Sequence, residues 1–460
     1  MTTPVNKEAK FLIPLHPKHG RKFALLSPSI CNWNLARLGG AEMIHFHSEL
    51  NVQVFRDEPQ TVVVNGWQVN YLAFGRPENL HKTPLVLVGG AFQHFHSFIS
   101  DIKAYLPHVP VILIALPGQS SNRDPRDASG LTLRDLADLM EGLFETLGLK
   151  SVTLAGFSYG SLTAYTYAYS YEQRLEKLIL VGCSIQLRHA LRELLRYGAE
   201  HCRPEKLHDI AEAMAQSLFN LNARAVTGVS MRLVERLTQS IRKMSPEEMG
   251  DYRSNSARLL KAQVNFRSFK VRTLVVTARY DHFVMPHESY EVYRLFNNAD
   301  FVLVDKGDHL VPLQAPQLIY RTVLQFLNDQ AYEAEGVLHG EAAIQAIRQR
   351  RQQPRHRVRG VQVTVTHSEG IRFDGQLDDI SLDGCGMSLN HAWSMDAEFE
   401  GTWHLEIGAS GYPIPGFLRV QNGKASFVFL KKTFAETEIL NGFVEALQDE
   451  PLDDKLQRQA

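Results

Sequence analysis

Between Thr61 and about Asp329 the chain alternates two kinds of apolar pattern. Short runs such as Pro84-Leu85-Val86-Leu87-Val88, Val111-Ile112-Leu113-Ile114-Ala115, Ser151-Val152-Thr153-Leu154-Ala155 and Thr273-Leu274-Val275-Val276-Thr277-Ala278 carry no polar alternation. Such runs predict strands buried on both faces, as in a central parallel sheet. Leu175 to Val181 and Phe301-Val302-Leu303-Val304 read the same way. Between them, Leu133 to Leu147 and Leu162 to Glu172 place apolar residues at helical spacing. Strands alternating with helices predict an α/β, doubly wound sheet. It opens on a hairpin, because Thr61-Val62-Val63-Val64 and Trp67-Gln68-Val69-Asn70-Tyr71 flank Asn65-Gly66.

About ninety residues, 184 to 271, interrupt this alternation with apolar positions at helical spacing: Leu187, Leu191, Leu194, Leu195, then Ile210, Met214, Leu218, then Leu233, Leu237, Ile241. They predict a helical insertion. After Asp329 an Ala-, Glu- and Gln-rich stretch, 331–347, reads as a linker. Beyond it the period changes to that of strands: Val361 to Val365, Arg372-Phe373, Gly401 to Ile407, Gly416 to Val420 and Ala425 to Phe429 suit a small antiparallel β-barrel over 348–445. Residues 446–460 form an acidic tail, and residues 1–58 are an N-terminal extension with no sustained period.

Composition changes little in this picture. A chain of 460 residues exceeds the roughly 250–300 at which one core stops growing. Forty-nine basic against 50 acidic residues leave net charge −1, so a charged partner must use a local patch. Cys31, Cys183, Cys202 and Cys385 lack C-x-x-C spacing and read as small buried hydrophobes in a reducing compartment. No apolar run approaches the roughly 18 residues of a spanning helix, and Pro14 cuts the short run Phe11-Leu12-Ile13, so a cytoplasmic location is expected. His45 and His47, like His94 and His96, could share a strand face, but no third ligand is near in sequence and no metal is expected.

The candidate chemistry begins at Gly156-Phe157-Ser158-Tyr159-Gly160, a G-x-S-x-G set between a strand and a helix. A sharp turn there exposes the hydroxyl, and the glycines leave room for it. On this motif, with Gly89-Gly90-Ala91 after the third strand, residues 61 to about 330 resemble the α/β-hydrolases. The resemblance implies a nucleophile, Ser158, followed in chain order by an acid and a histidine. The loop Arg279-Tyr280-Asp281-His282-Phe283 then supplies Asp281 as the acid, and Gly307-Asp308-His309 supplies His309 as the base. The alternative acid position, Gly182-Cys183-Ser184-Ile185, holds no carboxylate. Neighbouring Asp305 and Asp308 read as solvated loop acids or turn formers. The family's oxyanion hole maps to the backbone N–H groups of Ala91 and Tyr159; the usual histidine before the glycines is absent, which leaves backbone donors intact. The insertion becomes a lid walling an acyl pocket. Gly90-Ala91, Leu116-Pro117-Gly118-Gln119-Ser120 and the aromatic after Ser158 are further similar to the acyltransferases that build the hydroxyalkanoyl precursor of rhamnolipids. That likeness implies an acyl ester or an acyl-carrier-protein-linked substrate, with water or an alcohol as acceptor.

In the second segment, Arg348, Arg350, Arg351, Arg355, Arg357 and Arg359 put six arginines into twelve residues with no acid among them. Arg351-x-x-x-Arg355 followed by Asp379-Ile380-Ser381-Leu382-Asp383-Gly384 resembles the signature of the PilZ family, which implies binding of cyclic di-GMP. Guanidinium groups fork onto phosphates and stack on bases. The resemblance assigns Arg350, Arg351, Arg355, Asp379, Ser381 and Gly384 to that site. No reading helix or aromatic-interleaved platform accompanies the arginines, so neither DNA nor RNA is the expected partner. The expected protein is a serine hydrolase or acyltransferase regulated by cyclic di-GMP. The alternative is a catalytically silent receptor using the hydrolase fold as a scaffold, although a scaffold would need none of Ser158, Asp281 and His309.

Overall fold

A computed structural model describes residues 44–55, 59–122, 124–348, 355–390, 397–398, 401–408, 413–421, 424–431, 433–447 and 450–451. The expectations for most of the N-terminal extension, for Cys31, Arg350 and Arg351, and for most of the acidic tail lie outside these residues.

The first domain is built on a ten-stranded sheet. Its main strands are β1 (Gln60–Val64), β2 (Trp67–Phe74), β3 (Leu85–Val88), β4 (Val111–Ala115), β5 (Val152–Phe157), β6 (Leu175–Val181), β7 (Arg272–Ala278), β8 (Ala299–Val304) and β9 (Val337–His339). The order runs β2-β4-β3-β5-β6-β7-β8-β9; β1 forms the expected hairpin with β2, and a two-residue strand, Phe46–His47, pairs with β2 as well. From β4 to β8 every pairing is parallel, which explains the unalternating apolar runs: both faces are covered. Helices 133–146 and 159–171 pack on one face with Leu136, Phe144, Leu154 and Tyr167. Helices 99–105 and 316–327 pack on the other with Ile102, Ile179, Val276 and Phe326.

Helix Ile99–Tyr105 carries a cost in this arrangement. Asp101 on its buried side is pushed up to about 7 by burial, beside Tyr105 and Tyr320. A folded-state value above the unfolded one means the native state holds its proton more tightly. That stability is full below about pH 4 and is lost as pH rises through about 7. Asp101→Asn is therefore expected to raise the melting midpoint at pH 8 by a few degrees, at roughly 2–4 °C per kcal/mol, and to leave it unchanged at pH 4. Equal midpoints at both pH values in a calorimetric scan would refute it.

Residues 331–347 correct one expectation: this stretch is no free linker. Val337–His339 pairs antiparallel with β8 and closes that edge of the sheet, and helix Gly340–Ile347 buries Ala343 and Ile347 against Val275, Phe301 and Leu303. Ala343 and Ala346, part of what gave a linker-like composition, are small residues that let the helix lie close.

The insertion is helical, with helices His189–His201, Leu207–Leu218, Met231–Arg242 and Pro246–Lys261. Its own core holds Leu207, Ile210, Met214, Ile241 and Met249.

The second domain is a closed six-stranded antiparallel barrel. Strands β10 (Gln362–His367), β11 (Arg372–Ser381), β12 (Gly384–Leu389), β13 (Trp403–Ile407), β14 (Ile414–Gln421) and β15 (Lys424–Phe429) run in the order β10-β13-β14-β15-β12-β11, and β11 returns to pair with β10. Alternate residues face inward, as the period of two requires, and fill the barrel with Val365, Leu377, Met387, Trp403, Leu405 and Phe427. Helix Phe434–Ala446, opened by a capping box between Thr433 and Glu436, adds Leu440 and Val444 to this core. The architecture matches the expected fold class of a hydrolase-type sheet with a helical lid followed by a small barrel.

Polar contacts join barrel to lid. The Phe434 N–H donates to Glu212 Oε2 at 2.7 Å, the Gly401 N–H to Glu193 Oε2 at 2.9 Å, and Asn222 Nδ2 to Asp383 Oδ1 at 2.9 Å.

Candidate active site

Strand β5 ends at Phe157, helix Tyr159–Tyr171 begins at once, and Ser158 between them takes φ 51° and ψ −116°. A non-glycine residue in that region costs on the order of 1–3 kcal/mol, which the surrounding packing must offset. Both flanking glycines are dictated by close approach. A Cβ on Gly156 would stand 2.3 Å from the Gly160 carbonyl oxygen, and one on Gly160 would stand 2.3 Å from that of Val88. No side chain fits in either place, so the turn stays sharp and lifts the Ser158 hydroxyl off the sheet.

Ser158 Oγ lies 2.8 Å from His309 Nε2, and His309 Nδ1 lies 2.9 Å from Asp281 Oδ2. An ionised carboxylate only accepts, so Nδ1 carries the proton and the Nε2 lone pair faces the serine hydroxyl. Asp281 is 1% exposed, and its other oxygen accepts from the N–H groups of Phe283 and Val284 at 3.0 and 2.8 Å. Those bonds fix the carboxylate plane. The structure thus brings the three residues into one hydrogen-bonded row from the ends of three strands, β5, β7 and β8.

Of the two readings of Asp308, the turn former holds and the solvated acid does not. Asp308 is fully buried, accepts from the N–H groups of Asn220 and Leu310 at 2.8 and 3.0 Å, and burial pushes its carboxyl up to about 6. It ties the loop bearing His309 to the end of lid helix Leu207–Leu218. Asp305 is half-buried and pairs with Arg279 at 2.8 Å.

The candidate oxyanion donors sit where the strand ends meet. Tyr159 is the first residue of its helix, a position whose N–H has no intrahelical acceptor. Across from it, the Gly90 N–H donates to Gln93 Oε1 at 2.7 Å, which shapes the turn holding Ala91. Gln119, from the Leu116–Ser120 stretch, braces the same turn by donating to the Gly89 carbonyl at 3.2 Å. A residue missed in the sequence stands behind Tyr159. Arg258, on lid helix Pro246–Lys261, is 4% exposed; it donates to the Tyr159 hydroxyl at 3.2 Å and to the Leu131 carbonyl at 2.8 Å. It pins the lid to the elbow helix.

Ser158 and His309 open into a cavity of about 540 Å³ under the lid, lined by Phe92, Leu195, Met214, Leu218, Leu237 and Leu313 among others. Its size and apolar walls suit a substrate with a hydrocarbon part.

In the barrel, Arg355 and Asp379 form an ion pair, and Asp379 also accepts from the Gly386 N–H at 3.2 Å. Asp379 and Ser381 lie on β11 itself, and Gly384 opens β12, so D-x-S-x-x-G spans a hairpin. The Ser381 hydroxyl donates to the Gly384 carbonyl at 3.0 Å, which shapes the turn. Gly384 is required by the Phe427 carbonyl, 2.3 Å from where a Cβ would be. Cys183, Cys202 and Cys385 are buried free thiols.

Comparison with known proteins agrees with the first domain. The family model for the alpha/beta hydrolase fold matches residues 83–316. A poly(3-hydroxyalkanoate) depolymerase of Ectopseudomonas oleovorans is 30% identical over 107 residues, 23% of this chain and 37% of that one. The chain thus spans little more than a third of that relative's length. The enol-lactonase of Burkholderia xenovorans LB400 superposes with a TM-score of 0.51 at 20% identity, over 58% of this chain and all of that one. A thermophilic esterase of Thermogutta terrifontis gives the same score and identity over 59% of this chain and 99% of its own. Among the described residues no helix is long and apolar enough to cross a membrane. With the family model covering half its length and the sheet order and elbow in place, the chain belongs to the α/β-hydrolase fold family.

Proposed function

We propose that the first domain is a serine hydrolase of acyl esters, with Ser158 as nucleophile, His309 as general base and then acid, and Asp281 orienting His309. The observation that carries this is the row Ser158–His309–Asp281 opening into an apolar cavity. Ser158 Oγ attacks the ester carbonyl while Nε2 takes its proton. The N–H groups of Ala91 and Tyr159 hold the oxyanion, the protonated imidazole passes its proton to the leaving alcohol, and water releases the acid in the reverse sequence. The partial likeness to a depolymerase of poly(3-hydroxyalkanoate) supports a hydroxyacyl ester as substrate and water as acceptor. An alcohol acceptor would make the same acyl-enzyme an acyltransferase.

The second domain is proposed to bind cyclic di-GMP and to set the rate of the first. The barrel, the Arg355–Asp379 pair and the D-x-S-x-x-G hairpin support this.

A series of p-nitrophenyl esters from acetyl to dodecanoyl, with and without cyclic di-GMP, tests both parts. Each methylene buried adds about 0.8 kcal/mol, so medium chains are expected to exceed acetyl at least tenfold in kcat/KM. Saturating cyclic di-GMP is expected to change the rate several-fold to about a hundredfold, the usual size of coupling. Absence of turnover on every ester would favour the silent receptor. Identical rates despite bound ligand would leave the barrel as a localisation module.

A further inference from the structure

The motif-bearing side of the barrel faces the hydrolase domain across a second cavity of about 400 Å³. From the barrel come Arg355, Ser381, Asp383, Gly384, Arg419 and Lys431. Arg188 and His189 at the start of the lid, and His282 and Phe283 directly after Asp281, form the opposite wall. Arg188, Arg355, Arg419 and Lys431 line it, and with Asp379 paired to Arg355, Asp383 to Lys431 at 2.9 Å and Glu288 4.0 Å from Arg188, cations still outnumber carboxylates by one, which leans the cavity towards an anion. Phe283, half-buried on the hydrolase side, adds a flat apolar surface of the kind a base can lie on, while Phe417, Phe427 and Phe429 are buried behind the barrel wall.

Arg188 distinguishes this from a bare barrel site. Its Nη2 donates to the His282 carbonyl and its Nε lies 4.0 Å from Glu288, while Nη1 is buried without a hydrogen-bond partner among the described residues. A buried guanidinium nitrogen left unpaired is costly, and a ligand phosphate would satisfy it.

We propose that this interdomain cavity is one binding site shared by both domains, taking a dinucleotide with two phosphates, one held by Arg355 of the barrel and the other by Arg188 of the lid. This rests on the barrel being a cyclic di-GMP receptor. It carries a direct route to the chemistry, because Leu194, Ser217 and Phe283 line both this cavity and the acyl cavity. The Phe283 ring lies 4.7 Å from the His309 imidazole, and His282 Nε2 donates to the Ser217 carbonyl at 2.9 Å. A ligand that draws Arg188 from the His282 carbonyl acts on the loop that carries Asp281.

Calorimetric titration of the full chain with cyclic di-GMP tests this, using wild type, Arg355→Ala, Arg188→Gln and Arg188→Lys. Arg188→Gln is expected to weaken binding about tenfold and Arg188→Lys to recover part of the loss. Wild-type affinity in Arg188→Gln, with binding lost in Arg355→Ala, would overturn the shared site and leave the barrel receptor standing. No binding by wild type would overturn both, and full binding by Arg355→Ala would overturn the shared site. Hydrogen exchange on the wild type decides the matter independently of how the variants fold. Ligand-induced protection of amides 188–190 and 282–285 supports the shared site, and unchanged exchange there overturns it.

Discussion

Ester turnover by Ser158→Ala is expected to fall by at least three orders of magnitude, with the fold and melting midpoint nearly unchanged. The serine hydroxyl is the one atom that can carry the acyl group, and removing a triad nucleophile leaves only binding and oxyanion stabilisation. The elbow does not depend on the hydroxyl: Ser158 is held through its backbone, its N–H donating to the Val181 carbonyl at 2.9 Å. Alanine meets the same positive φ, so the geometry should persist while chemistry stops. A fluorophosphonate probe gives a second readout, labelling wild type at Ser158 and not the variant. Equal labelling of the two proteins would show that another residue reacts and that the row described above is structural.

Arg355→Ala is expected to weaken cyclic di-GMP by about 2 kcal/mol, roughly thirtyfold, from loss of a charge-assisted contact to phosphate. Before ligand arrives, Arg355 is paired with Asp379 and both are about three-quarters buried. That pair pre-sets the guanidinium, so little order has to be created on binding. Arg351→Ala, outside the described residues, should behave similarly. Calorimetry on the two variants is decisive, since unchanged affinity in both would remove the nucleotide from this segment altogether.

The parts of the fold that were legible in the sequence are those where one constraint dominates. Doubly covered strands must be apolar throughout, so β3 to β8 could be located without any tertiary information. The elbow was legible because backbone crowding admits only glycine at 156 and 160. Arg258 and Arg188 were not, because their roles depend on carbonyls and cavities supplied by distant segments, and local pattern holds no trace of either. The strand and helix over 337–347 were missed for a different reason: alanine packs as well as it fills linkers, and composition does not separate the two. Thr433-x-x-Glu436 before an apolar stretch was a usable signal for the last helix, hidden by the expectation that the barrel ran on to 445.

Because helix Gly340–Ile347 is anchored to the sheet, only the six residues 349–354 separate Arg348 from Arg355, where the second domain begins. Even fully extended, six residues reach roughly 20 Å. A barrel on so short a tether meets the lid at an effective concentration in the millimolar range, whatever the amount of protein in solution. Contacts such as Phe434 to Glu212 and Asn222 to Asp383 then form without the entropy cost of bringing two separate chains together. At the shared site proposed above, a nucleotide would therefore act on two domains that the connector already keeps within reach of one another.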